Sequence, residues 1–160
     1  MIDLEALGWA SHTVGELDHR RLKAPSVKLR GVHTGPGGDV VYAIDLRLRR
    51  PNAEAYLTAR QAHSLEHFLL EGFQRLLPEH FIGVGVMGCQ TGFYLTLLNE
   101  GRRAVIEAAA QAILRGVLAA EAVPYAHIEQ CGRWQHHDLR GAQAVAREVL
   151  AQRAAWAQVT

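Results

Sequence analysis

The chain has 160 residues, 49% of them hydrophobic and 21% charged, with a formal net charge of +1. That length suits one domain with a core large enough to need no disulfide staples, so a single domain over residues 1–160 is expected. The near-neutral charge excludes the broad basic field that nucleic-acid binding needs, and no apolar run approaches the roughly 20 residues of a membrane span.

The N-terminus "MIDLEALGWASH" has neither the basic nor the apolar region of a secretion signal, so a cytoplasmic location is expected. Cys89 and Cys131 are the two cysteines, and in that compartment they read as catalytic or metal-bound thiols in preference to a disulfide. From Ser26 to Arg49 the pattern predicts a hairpin. Val40, Tyr42, Ile44, Leu46 and Leu48 alternate with more polar neighbours, Asp45 and Arg47 share a face, and "TGPGGD" (Thr34 to Asp39) supplies the turn.

A helix is predicted from about Glu54 to Leu77, between Pro51-Asn52 and Pro78. After it, "FIGVGVMG" and "GFYLTLLNE" read as two strands around the corner "GCQTG", where Gly88 and Gly92 should let the backbone turn and leave the Cys89 thiol open. "RRAVIEAAAQAILRGVLAA" puts Val105, Ile106, Ala109, Ile113 and Val117 close to one helical face. An irregular segment follows Pro124, and a last helix is predicted from roughly Leu139 to Trp156 with Asp138 as N-cap. This order predicts an α+β fold, an antiparallel sheet packed against helices.

The stretch "HSLEHFLLEGF" carries the most chemistry. His63 and His67 are four apart, so on a helix they project from one face, as two imidazoles must to bind one ion, and Glu66 adjoins that face. H-x-x-E-H also occurs in inverzincin peptidases, where the glutamate activates water, but alone it is a weak signal in a chain with nine histidines. Cys131 is the favoured third ligand, with His127, His136 and His137 as competitors, because a thiolate binds borderline or soft divalent ions well. Two imidazoles and a thiolate leave an open position, the mark of a catalytic ion. Cys89 reads either as an acid/base or nucleophile or as an inert buried thiol.

Taken together, "ELDHRRLKAP", "DLRLRRPN", "HSLEH", "MGCQTGFYLTLL" and "CGRWQHHDL" resemble in content, order and spacing the S-ribosylhomocysteine lyase (LuxS) family, over about Val14 to Leu150. The resemblance implies an α+β sandwich and a homodimer with active sites at the subunit interface. It implies one divalent metal per subunit, Fe(II) with zinc or cobalt as substitutes, held by His63, His67 and Cys131. It places the acid/base on Glu66, the catalytic thiol on Cys89, and substrate contacts on His19 and Arg47. The implied reaction moves a carbonyl along the sugar of a thioether by proton transfers. A β-elimination then gives homocysteine and 4,5-dihydroxy-2,3-pentanedione, precursor of a quorum-sensing signal.

The departures from the family cluster in substrate recognition. Val14 stands where the family has a serine, Gly83 where it has an acid, Gln74 where it has an arginine, and "APSVKLR" replaces A-P-Y-V-R. The lost hydroxyl and carboxylate would have paired with substrate groups, so an alternative expectation is a diverged homologue running related isomerisation, epimerisation or elimination on a different sugar or thioether.

Overall fold

In the computed structural model, which describes residues 2–160, four strands and three helices follow the order expected from the sequence. Strands β1 (Ser26–Thr34) and β2 (Val40–Arg47) form the hairpin; helix α1 (Ala59–Leu76) follows, then strands β3 (Phe81–Val86) and β4 (Gly92–Leu98) and helices α2 (Arg103–Ala119) and α3 (Leu139–Ala151). The strands make one antiparallel sheet in the order β1-β2-β4-β3. The helices pack against one another, and α1 against β3.

Alternation along the strands decides which face is covered. Leu29, Ile44 and Leu95 lie in one cross-strand row and are fully buried beneath the helices, joined by Leu65, Phe73, Ile106, Ile113 and Val149. The next row, Lys28, Asp45, Tyr94 and Gly85, points to the helix-free face. Asp45 and Arg47 share that face as expected, and they form a buried ion pair at 2.5 Å. Gly72 marks the close approach of α1 to α2, since a Cβ there would lie 2.3 Å from Ile113 Cγ1.

Two helix boundaries and one turn residue differ from the sequence expectation. Helix α1 begins at Ala59, not near Glu54, because Thr58 and Gln61 form a reciprocal capping box and Glu54 itself has φ 58°. Helix α3 begins after the expected Asp138 cap but ends at Ala151; a short 3-10 turn (Arg153–Ala155) then swings Trp156 into the core, where its carbonyl accepts from Val27 N at 3.0 Å. At the β3–β4 corner the left-handed residue is Gln90 (φ 58°), not a glycine. Gly92 is needed for proximity: a Cβ would meet the Leu46 carbonyl oxygen at 2.1 Å.

The N-terminal segment crosses the hairpin. Trp9 is buried with Nε1 donating to the Gly101 carbonyl at 2.7 Å, and Lys28 Nζ donates to the Gly15 carbonyl at 2.6 Å. These anchors carry His19 to the helix-free side of the sheet. No helix among the described residues is long and apolar enough to cross a membrane.

Candidate metal centre and active site

Helix α1 sets His63 and His67 one turn apart, with ring centroids 4.7 Å apart and nearly perpendicular. The connection between α2 and α3 folds back over them and brings Cys131 Sγ to 3.4 Å from His63 Nε2. His137 joins the group, its Nε2 3.8 Å from the same sulfur and its ring stacked on His63 at 4.0 Å. The donor atoms of His63, His67, Cys131 and His137 all lie within 4.8 Å of one another.

Supporting hydrogen bonds decide which ring nitrogens are free. His63 Nδ1 bonds the His136 carbonyl and His67 Nδ1 the Pro124 carbonyl, each at 2.7 Å. A carbonyl oxygen only accepts, so each Nδ1 carries the proton and each Nε2 keeps a lone pair for an ion. His137 Nδ1 instead faces the Ser64 hydroxyl at 3.2 Å, while the same hydroxyl accepts from Asp138 N at 2.8 Å. Burial, then the neighbouring imidazoles of His63, His67 and His136, push His137 down to about 4, which keeps its ring neutral near pH 7. Two oriented imidazoles and a thiol on one buried side fit a divalent ion with borderline or soft preference. Of the competing candidates, His127 pairs with Glu129 at 2.8 Å and His136 contributes its carbonyl, so neither enters the group.

An open cleft adjoins this group. Its walls are His63 and Glu66 from α1 and Met87, Gly88 and Gln90 from the corner that bears Cys89. Cys89 itself is exposed at that corner, next to the residues that wall the cleft. Partial burial works against its ionisation, but hydrogen bonds from the Thr91 side chain and backbone, together with the Arg47 guanidinium, outweigh this and hold it below its ordinary value of 9.0. Cys89 Sγ lies 2.9 Å from Thr91 Oγ1 and 3.9 Å from Arg47 Nη1.

His19 and Arg47 do not touch the imidazole–thiol group; they line a second pocket with Lys28, Arg30, Asp45 and Tyr94. Arg47 connects the two regions, since it also reaches the Cys89 corner. Lys28 is buried, which pushes its ammonium below the ordinary range while Asp45 and Glu16 pull it back up. Among the altered recognition positions, Val14 packs partly buried against the core, Gly83 has open space where a Cβ would point, and Gln74 is exposed on α1. Sequence reasoning missed Ser64, Thr91 and the burial of Lys28. The Cys-x-Thr spacing at the corner was the one legible hint, and nothing local marked the other two.

Comparison with known proteins bears on this arrangement. The family model for S-Ribosylhomocysteinase (LuxS) matches residues 13–160. An S-ribosylhomocysteine lyase of Dichelobacter nodosus is 46% identical over 143 residues, covering 89% of this chain and 92% of its own. The lyase of Chromohalobacter salexigens is 42% identical over 143 residues, with 89% and 91% covered, and that of Listeria monocytogenes 38% over 143 residues, also with 89% and 91% covered.

Proposed function

The chain belongs to the S-ribosylhomocysteinase (LuxS) family, and on that premise we propose that it is a divalent-metal-dependent S-ribosylhomocysteine lyase, a carbon–sulfur lyase built as one catalytic domain. The observation that carries this reading is the group of His63, His67 and Cys131, with both imidazole Nε2 atoms free, beside a cleft walled by Glu66 and the Cys89 corner. These three residues hold the ion, one per subunit. Ferrous iron suits the two-nitrogen, one-sulfur donor set, and zinc or cobalt would accept it too.

When bound, the ion supplies Lewis-acid polarisation of the sugar carbonyl oxygen. The remaining work falls to side chains. Cys89, already biased toward the thiolate, takes a proton from the carbon beside the carbonyl and returns it to the carbon that had been the carbonyl. The Glu66 carboxylate carries the accompanying proton between the sugar oxygens. Once the carbonyl has reached C3, loss of a proton from C4 drives electrons toward C5; the C5–S bond breaks with both electrons on sulfur, and a proton completes the homocysteine thiol. The C4–C5 enol left behind takes a proton at C5 and loses its hydroxyl proton, giving the second product, 4,5-dihydroxy-2,3-pentanedione.

His19 and Arg47 are assigned to substrate binding. Lys28, Arg30 and Asp45 line the same pocket, and so polar a lining favours a ligand rich in hydroxyls. We assign the protein to a homodimer paired through the helix-free sheet face, where Tyr94 and Ile82 are exposed and Val41, Ala43 and Leu98 half-buried. The active sites would then lie at the subunit interface. A reducing cytoplasm suits the two free thiols on which the reading depends.

A second reading, related chemistry on a different sugar or thioether, draws on Val14 and Gly83, which offer no polar group where the family has a serine and an acid. One assay decides between them: homocysteine thiol release from S-ribosylhomocysteine by anaerobically purified, ferrous-loaded protein. Rapid release abolished by Cys89→Ala supports the lyase; no release from folded, metal-bound protein favours the second reading.

A further inference from the structure

The corner that presents Cys89 contains a hydroxyl with only one way to satisfy all of its neighbours. Thr91 is buried, and its Oγ1 lies 2.5 Å from Arg47 Nη1, 2.9 Å from Cys89 Sγ and 3.8 Å from Met87 Sδ. Arg47 is fixed from the other side by Asp45 Oδ2 at 2.5 Å. A guanidinium can only donate, so Thr91 Oγ1 accepts from Arg47 and retains one proton and one lone pair for the two sulfurs.

The two ionisation states of Cys89 use that remainder differently. With a neutral thiol, S–H points to the Thr91 lone pair and the hydroxyl proton rests toward the weakly accepting Met87 thioether. With a thiolate, the hydroxyl proton turns to Cys89 Sγ and makes a charge-assisted bond. Thr91 polarised by Arg47 donates more strongly than a free hydroxyl, so the second arrangement gains more than the two weak sulfur contacts it replaces. Arg47, 3.9 Å from the sulfur, thereby acts on it through the shorter Thr91 contact.

We propose that Thr91 is a positioning residue for proton transfer: it relays the Asp45–Arg47 pair to Cys89, holding the thiolate in place at the corner while leaving the thiol state satisfied. This deepens the reading of Cys89 as the residue that moves protons and rests on it. A hydroxyl that only stapled the corner together would affect folding and leave the thiol's ionisation alone.

The test is the pH titration of Cys89 in metal-loaded protein, followed by thiolate ultraviolet absorbance and by the alkylation rate with iodoacetamide, with Cys89→Ala as the blank. Thr91→Val, which keeps the shape and removes the hydroxyl, should raise the midpoint by about one pH unit, leaving roughly tenfold less thiolate near neutrality. Thr91→Ser should stay close to the unaltered protein, and kcat of Thr91→Val should fall while KM holds. If Thr91→Val does not fold, Thr91→Ala is read by the same criteria. An unchanged midpoint in the hydroxyl-free variant, or a shift in Thr91→Ser as large as in Thr91→Val, overturns the proposal. Failure of the lyase reading looks different: the unaltered protein would release no homocysteine while the thiol titrations still report on Thr91.

Discussion

His63 Nε2 and Cys131 Sγ lie 3.4 Å apart although 68 residues separate them in sequence. One comes from the first helix and the other from the loop between the last two, so neither element holds an ion without the other. Replacing Cys131 with alanine should reduce bound metal by more than the 10–100-fold typical of losing a supporting hydrogen bond. The core of Leu29, Ile44, Phe73 and Ile113 does not include this group, so metal-free protein should keep its fold. Metal content after dialysis and the loss of the sulfur-to-cobalt charge-transfer band in cobalt-loaded protein measure the first expectation; thermal unfolding with and without chelator measures the second.

Glu66 sits between the imidazole pair in sequence, walls the cleft, and is absent from the group of metal donors. Glu66→Gln should therefore keep the metal and lose turnover by about 10²–10⁴-fold, the range for removing a general acid/base. Metal analysis and steady-state kinetics on the same preparation check the pair of outcomes. Loss of metal together with activity would instead place the carboxylate among the ligands.

Glu100 is buried ahead of α2. It accepts from Arg102 N at 2.9 Å, and its hydrogen bond with the Arg102 side chain holds its carboxyl below the ordinary value of 4.5. A carboxyl that titrates lower when folded contributes stability that is full above 4.5 and lost as pH falls through the folded value. Because Arg102 is largely in water, the contribution should be roughly 1 kcal/mol. Denaturant unfolding should find Glu100→Gln less stable than the unaltered protein near neutrality, with the gap closing at low pH. A gap that stays constant with pH would remove the electrostatic explanation.

Gly72 lies where α1 meets Ile113 of α2. Gly72→Ala would improve helix propensity, yet the added methyl overlaps the isoleucine, and overpacking of this kind costs about 1–3 kcal/mol. A fall in Tm is expected, and Ile113→Val in the same chain should recover part of it. A rise in Tm would show that the interface has slack.

Much of this protein was determined by sequence-local physics. Alternation in "DVVYAIDLRLR" sets Ile44 and Leu46 toward the core and Asp45 and Arg47 away from it, and this follows from a period of two whatever the partner strand. The i,i+4 spacing of His63 and His67 likewise dictates that they share a helix face. Donor chemistry supplied what spacing alone could not, a preference for the Cys131 thiolate over the nearby histidines, and the family motifs agreed with it. Only the tertiary structure selected His137 from the three candidate histidines, because a ring enters the group through the course of a loop that no periodicity describes. It also decided that Ser64 and the Pro124 and His136 carbonyls orient the imidazoles, and that Thr91 stands between Arg47 and Cys89. Hydrogen-bond partners drawn from distant segments depend on how helices and loops settle against the sheet, and local composition carries no record of that packing.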